Sequence, residues 1–346
     1  MSLPENTDSL QTLIGKGPGN VITDVPGVKI GHYTYMENDS VTGITSIIPA
    51  QGNVFREKLV ASAHVINGFG KSAGILQLQE LGSLETPILL TNTFAVGTGY
   101  SALVKYMLQD NPDIGNTTGT INPVVCECND SKINNIRSLL LEEEHMLEAL
   151  GNAGKSFQQG DIGAGTGMVC YGLKGGIGSS SRTVKVGNSF FNLGVLVLSN
   201  FGSMEDLSVY GKPIGKEIKN RTSPKSQPDK GSIIVVLATD IPLDSRQLTR
   251  VLKRTQSGIA RTGAYSGNGS GEIAIGFSTA NRIDHYSAVP IVDKKVLHED
   301  FMDMVFLATV QATEESIINS MLYASPAVDR YGKKIYSLHD FKDIFE

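Results

Sequence analysis

The stretch of residues 233–238, IIVVLA, is a continuous run of apolar and mostly β-branched side chains. A run of this kind predicts a β-strand that is covered on both faces. Such a strand belongs to a sheet with packed material above and below it, and 346 residues are enough to bury that core. The chain is therefore expected to fold around a buried sheet.

Gly231 and Ser232 lie where this strand begins. The preceding residues 220–230 are polar and rich in Ser, Lys and Pro, which predicts an exposed loop. A cut after Gly231 would leave Ser232 as a new N-terminus, whose amine lies beside its own hydroxyl and could take its proton. A Gly-Ser pair before a strand is also a common turn ending, so these two residues alone leave both interpretations open.

Glu127 lies near the end of a strand predicted in residues 122–130. Asp130 or Ser131 can cap the helix predicted to follow, because apolar residues recur at helical spacing up to Leu150. A strand end that leads into a helix commonly carries functional groups in α/β folds. Glu127 is thus a candidate site residue, with a solvated or capping carboxylate as the alternative.

Further polar side chains lie at the ends of other predicted strands. Residues 182–186 and 192–199 predict a hairpin that ends at Asn200. Ser270 and Glu272 precede the next predicted strand, and their spacing of two places them on the same side of an extended backbone. A polar loop is the alternative interpretation of this pair.

Four other segments give expectations about the fold. Residues 160–182 are dense in glycine, which allows backbone to pack closely against backbone or a ligand. Residues 22–32 predict a strand, a Pro-Gly turn and a second strand. Residues 87–93 predict a buried strand, with a helix opening at Gly97, and residues 299–323 predict an amphipathic helix.

The composition argues against several classes of protein. With 30 Lys and Arg against 35 Asp and Glu, the net charge of -5 offers no electrostatic basis for binding nucleic acid. No apolar run has the length of a membrane span, and residues 1–11 lack the regions of a signal peptide. Cys126, Cys128 and Cys170 are a sparse, odd set that suits a reducing compartment, so we expect a cytoplasmic protein. They form a poor zinc site, so no metal or cofactor is expected.

Taken together, these residues resemble the DmpA-like aminopeptidases, also called L-aminopeptidase/D-esterases and β-peptidyl aminopeptidases. The resemblance extends through nearly the whole chain, and its most specific block is residues 163–182, GAGTGMVCYGLKGGIGSSSR. The other matching segments are residues 22–32 (ITDVPGVKIGH), 84–93 (LETPILLTNT), 123–130 and 231–240 (GSIIVVLATD).

The resemblance implies that the precursor cuts itself between Gly231 and Ser232 by an N-to-O acyl shift followed by hydrolysis. Residues 1–231 would form an α chain and residues 232–346 a β chain of one catalytic domain. Ser232 would be the nucleophile. The implied fold is α+β, a four-layer αββα sandwich that is shared with the ornithine acetyltransferases, and the implied assembly is a homotetramer of processed αβ units.

The resemblance also implies roles for the other candidates. Ser270 and Glu272 match a serine and a carboxylate that orient and polarise the nucleophile or its amine. Asn200 matches the amide that stabilises the oxyanion. Glu127 matches the carboxylate that holds the free amino group of the substrate. Asn129 stands about where some relatives carry a tyrosine, which makes it a candidate substrate-binding residue.

The implied function is removal of N-terminal residues from short peptides, amides or esters, with α- and β-peptides both open. The sequence leaves three alternative functions open. The protein could be an acyltransferase that passes the acyl group to an amine, or an amide hydrolase of the aminohexanoate-oligomer type, although serine rather than threonine at Ser232 favours the aminopeptidase branch. It could also be a binding protein that keeps the fold but does not process.

Overall fold

The structure is a computed structural model that describes residues 10–222 and 231–345. Two main sheets contain the strands that position the site. In chain order these strands are β1 (Ile14–Lys16), β2 (Lys29–Glu37), β3 (Ser40–Ile48), β4 (Glu57–Gly68), β5 (Ser83–Leu84), β6 (Ile88–Asn92), β7 (Val124–Cys128), β8 (Gly176–Val186), β9 (Ser189–Asn200), β10 (Ser232–Thr239) and β11 (Gly271–Asp284).

The larger sheet has seven strands in the order β1-β8-β9-β10-β11-β4-β5. Its pairs are antiparallel except β10 and β11, which run parallel. The smaller sheet has the order β2-β3-β6-β7, and its last pair is parallel.

The helices are arranged outside the two sheets. They are α1 (Ile75–Glu80), α2 (Val96–Asp110), α3 (Glu143–Gly151), α4 (Gly215–Thr222), α5 (Ser245–Leu252), α6 (Thr255–Arg261), α7 (Met302–Leu322) and α8 (Lys342–Phe345). One core joins the inner faces of the two sheets, a second joins the seven-stranded sheet to α5, α6 and α7, and a third joins the four-stranded sheet to α2 and α3. The predicted four-layer αββα sandwich is confirmed.

The apolar run of residues 233–238 lies in β10, where every residue is buried. Ile233, Val235 and Leu237 pack in the core beneath α5–α7, whereas Ile234 and Val236 pack between the two sheets. Successive side chains of a strand point to opposite faces, so a strand between two cores needs apolar residues at every position. This explains the continuous apolar run.

Several local predictions are confirmed. The hairpin of β8 and β9 turns at Gly187-Asn188, β6 covers the strand expected in residues 87–93, and α2 begins beside Gly97. The helix predicted for residues 299–323 is present as α7, but it is buried on nearly all of its faces rather than amphipathic. Most of the loop predicted for residues 220–230 lies outside the described residues, and α4 occupies its first positions.

The helix predicted to start at Asp130 or Ser131 is wrong, because the α-helix of this region begins only at Glu143. Asp130 is buried and accepts hydrogen bonds from Thr42 (2.6 Å) and Asn134 (3.0 Å) instead of capping a helix. Burial raises the pKa of Asp130 to about 6, and these two bonds partly offset that rise. Leu139 adopts a left-handed conformation with φ of 53°, which interrupts the helical pattern.

The first strand predicted in residues 22–32 is also wrong, since Ile22–Asp24 forms a 3-10 turn. The Asp24 carboxylate accepts hydrogen bonds from the backbone N–H groups of Gly19 and Val21 and from the Ser181 hydroxyl. These bonds curl the chain before the Pro-Gly turn. A tertiary partner in β8 therefore overrides the local strand pattern.

Candidate active site

Ser232 is the first residue of β10 and lies between two neighbouring strands. It pairs with Asn200, the last residue of β9, on one side and with Gly271, the first residue of β11, on the other. The side chain is nearly buried, with 7% of the residue exposed. The sheet order thus places an amide and a glycine on opposite sides of the candidate nucleophile.

Gly231 fits this position because there is no room for a side chain. A Cβ built on it would lie 2.0 Å from the carbonyl oxygen of Asn200. The N–H of Gly271 donates a hydrogen bond of 3.1 Å to the Gly231 carbonyl oxygen. The peptide bond between Gly231 and Ser232 is therefore held tightly, with a donor on its carbonyl.

Ser270 and Glu272 lie on either side of Gly271, and both are fully buried. The Ser270 hydroxyl donates to Glu272 Oε1 at 2.9 Å, and the Ser266 hydroxyl donates to Glu272 Oε2. A Cβ built on Gly271 would lie 3.0 Å from Ser232 Oγ, so the missing side chain lets this segment approach the candidate nucleophile. The predicted juxtaposition of Ser270 and Glu272 is present.

The side-chain amide of Asn200 has a defined orientation. Its Oδ1 accepts a hydrogen bond of 2.9 Å from the N–H of Val169, and its Nδ2 donates to the Asn129 carbonyl oxygen at 2.9 Å. These partners fix which end of the amide is the donor. The side chain of Asn129 is solvent-exposed and accepts a hydrogen bond from the N–H of Ser131.

Glu127 projects from β7 of the smaller sheet and is 3% exposed. Its Oε1 accepts a hydrogen bond of 2.9 Å from the N–H of Lys71, and its Oε2 accepts one from the Thr93 hydroxyl. A Cβ built on Gly70 would lie 3.6 Å from Glu127 Oε1 and 3.9 Å from the Cα of Gly271. The carboxylate therefore approaches the site from the Gly271 side of Ser232.

The sequence matches the profile of Peptidase family S58 over residues 20–335. The chain belongs to this family. A curated relative, beta-peptidyl aminopeptidase BapA of Sphingosinicella xenopeptidilytica, is 34% identical over 94% of this chain and 86% of its own length.

Two solved structures share the fold over nearly the whole chain. The PH0078 protein from Pyrococcus horikoshii OT3 has a TM-score of 0.91 and 45% identity, covering 97% of this chain and 98% of its own. The L-aminopeptidase D-Ala-esterase/amidase from Ochrobactrum anthropi, described as a prototype of the serine aminopeptidases and a variant of the Ntn hydrolase fold, has a TM-score of 0.87 and 32% identity. It covers 95% of this chain and 96% of its own. The S58 protein described here is thus a hydrolase, a serine aminopeptidase of the N-terminal nucleophile type, as the resemblance implied.

Sequence reasoning missed the residues that support the candidates. Thr93 and Lys71 hold Glu127, and Ser266 holds Glu272 from a left-handed conformation with φ of 59°. Asn67 donates from its amide to the carbonyl oxygens of Gly267 (3.1 Å) and Ser270. Nothing in the local sequence around Asn67 links it to a segment about 200 positions away.

Lys174, within the glycine-dense block, was also missed. Its ammonium is buried and donates to the carbonyl oxygens of Gly165 (2.9 Å) and Gly175 (2.8 Å). Its backbone pairs with Val169, the residue whose N–H orients Asn200. Burial lowers the pKa of Lys174 to about 7. The glycines allow this segment to fold tightly around one buried amine.

A cavity of about 360 Å³ opens beside Asn200 and Gly231, and the exposed Asn129 also lines it. Across the described ranges 10–222 and 231–345, no cluster of three or more His, Cys, Asp or Glu side chains is arranged to hold a metal ion. None of the helices in these ranges is long and apolar enough to cross a membrane.

Proposed function

We propose that this aminopeptidase is made as a precursor that cuts itself between Gly231 and Ser232, and that Ser232 is then its nucleophile. The observation that carries the proposal is the geometry of the scissile peptide. The carbonyl of Gly231 already accepts a hydrogen bond from Gly271, and Ser232 Oγ lies against the same residue. A donor on that carbonyl favours attack on its carbon.

In the proposed cleavage, Ser232 Oγ attacks the Gly231 carbonyl carbon and the amide nitrogen of Ser232 leaves. The resulting ester is hydrolysed by water, giving a carboxylate at Gly231 and a free amine at Ser232. The products are an α chain of residues 1–231 and a β chain of residues 232–346. Both remain in one domain, because β10 pairs with β9 across the cut and the two share the cores on both sides.

In the proposed turnover, Glu127 binds the free amino group of the substrate and Ser232 Oγ attacks its first carbonyl. The new amine of Ser232, or the Ser270–Glu272 pair, accepts the hydroxyl proton. The amide of Asn200 stabilises the oxyanion. The acyl-enzyme is then hydrolysed by water.

The proposed substrates are short peptides, amino-acid amides and esters, including β-peptides. Support for β-peptides comes from the name of the Sphingosinicella xenopeptidilytica relative, a beta-peptidyl aminopeptidase. We further propose a cytoplasmic homotetramer of processed units. Three free, buried cysteines support a reducing compartment. Exposed apolar side chains, among them Ile291 and Val292, support contact between subunits.

Intact-mass spectrometry of wild type, Ser232→Ala and Ser101→Ala tests the cleavage. Ser101 is exposed on α2 and serves as a control for a serine-to-alanine change. We expect two fragments that meet between Gly231 and Ser232 in wild type and in Ser101→Ala, and one intact chain in Ser232→Ala. Persistent full-length wild type, or cleavage that continues in Ser232→Ala, would contradict the proposal.

A further inference from the structure

Among the residues that the structure describes, more cations than carboxylates line the cavity beside Asn200. Four lysines, Lys132, Lys219, Lys333 and Lys334, face it together with two acids, Glu205 and Asp329. A cavity with an excess of positive charge next to a reaction centre attracts anionic groups.

Some of these charges are already engaged. The ammonium of Lys219 forms an ion pair with Glu205, and the ammonium of Lys334 lies 4.3 Å from the ring centroid of Tyr336. The Asp329 carboxylate accepts hydrogen bonds of 2.9 Å from the backbone N–H groups of Tyr331 and Lys333, which hold its own turn in shape.

Lys132 and Lys333 remain available to a ligand. Neither ammonium has an ion pair or hydrogen bond to any residue in the described ranges 10–222 and 231–345. Lys132 is half-buried, whereas Lys333 is exposed. Burial, followed by the positive charge of Lys333, lowers the pKa of Lys132, and the negative charge of Asp329 partly offsets this shift. An anion between the two ammonium groups would relieve their mutual repulsion.

The segments that carry the two lysines are fixed relative to Asn200. The N–H of Arg330 donates to the Lys132 carbonyl oxygen at 3.3 Å. Ile133, Val169 and Ile335 form a small apolar cluster, and the N–H of Val169 holds the amide of Asn200. The segments that carry Lys132 and Lys333 therefore pack against the residue that orients Asn200, the proposed oxyanion donor.

The order of strands indicates which part of a bound substrate faces the cavity. Asn200 and Gly271 flank Ser232 on opposite sides. Glu127 approaches near Gly271, whereas the cavity lies on the Asn200 side. A substrate with its amine at Glu127 and its carbonyl at Ser232 thus directs its leaving residue towards the lysines.

We propose that this cavity binds the carboxylate of the leaving residue through the ammonium groups of Lys132 and Lys333, which makes short peptides with a free carboxyl terminus the preferred substrate class. This inference rests on the function proposed above. It distinguishes dipeptides from amino-acid amides, which lack the carboxylate.

The test compares L-alanyl-L-alanine with L-alanyl-L-alaninamide in wild type, Lys132→Met, Lys333→Met and Lys185→Met. Methionine keeps the aliphatic bulk and removes the charge. Lys185 lies at the far, hairpin end of β8 and is the matched control. We expect both cavity variants to raise KM for the free-carboxylate peptide about tenfold, the scale of a lost charge-assisted contact, with kcat and the KM for the carboxamide unchanged.

Three results would overturn the inference. The first is equal KM values for the two peptides in wild type, and the second is a rise in KM for both peptides in the cavity variants. The third concerns an additional substrate, L-aspartyl-L-alaninamide, whose only carboxylate is on the acyl residue. If the cavity variants raise KM for this compound alone, the cavity binds a carboxylate of the acyl residue instead. If wild type hydrolyses none of these compounds, calorimetric titration of the two alanyl peptides decides. In that case, tighter binding of L-alanyl-L-alanine than of its carboxamide would support the carboxylate site and contradict the proposed aminopeptidase function. Equal affinity for the two peptides would contradict both proposals.

Discussion

Replacement of Gly271 by alanine is the sharpest test of how closely β11 approaches Ser232, the proposed nucleophile. The added Cβ would lie 3.0 Å from Ser232 Oγ and 2.6 Å from the Phe69 carbonyl oxygen. The second contact is with backbone, which cannot rotate away. We expect Ser232 Oγ, Phe69 or both to move by a few tenths of an ångström, so that the proposed nucleophile leaves its aligned position.

Overpacking of a tight site costs about 1–3 kcal/mol. If that cost falls on the reactive geometry, it corresponds to a loss of roughly 5- to 150-fold in rate. The assay is kcat/KM on an alanine p-nitroanilide, together with the fraction of chain cleaved at Gly231 measured by intact mass.

The matched control is Gly68→Ala. Gly68 is the partner of Gly271 on β4, and a Cβ there would meet only the Cγ1 of Val65 at 3.5 Å, an ordinary contact. We expect this variant to cleave and hydrolyse as wild type does. Wild-type kcat/KM in Gly271→Ala, or an equal loss of activity in both variants, would show that the close approach of Gly271 does not align Ser232.

Two further predictions concern buried polar groups. Thr93→Val removes the hydroxyl that donates to Glu127, so we expect kcat/KM to fall about tenfold. Because the buried carboxylate loses a donor, we also expect the free energy of unfolding to fall by about 1–3 kcal/mol. The exposed Thr117→Val is the control, and equal effects of the two would contradict this role. Lys174→Met concerns pH. Because the pKa of Lys174 falls from 10.5 unfolded to about 7 folded, the unfolded chain binds the extra proton between these values, and the free energy of unfolding in wild type rises with pH there. The rise approaches about 1.4 kcal/mol per pH unit. Denaturant titrations between pH 7 and pH 9 should show a shallower slope for Lys174→Met, and parallel slopes in the two proteins would refute the buried-amine argument.

Much of the local structure could be predicted because it depends on neighbours in the chain. The apolar run of β10, the hairpin of β8 and β9 and the start of α2 follow from periodicity and turn residues. The contact between Ser270 and Glu272 follows from the two-residue repeat of an extended backbone.

Other local patterns misled because distant partners decided the outcome. The apolar spacing after Asp130 is compatible with a helix, but Thr42 binds its carboxylate from another strand. Ser181 similarly binds Asp24 and helps to curl the segment that was expected to form a strand. Propensity is a weak local preference, and tertiary hydrogen bonds to the carboxylates of Asp130 and Asp24 exceed it.

The candidate site was found by resemblance to a family, and only the tertiary structure supplied its geometry. The sequence by itself determined that Ser232 begins a strand buried on both faces and that glycines surround the polar candidates. The strand order determined that Asn200 and Gly271 flank Ser232, and the packing of the second sheet brought Glu127 to the same edge. Pairing between strands depends on the complementarity of surfaces far apart in the chain, which the periodicity of a single segment does not record.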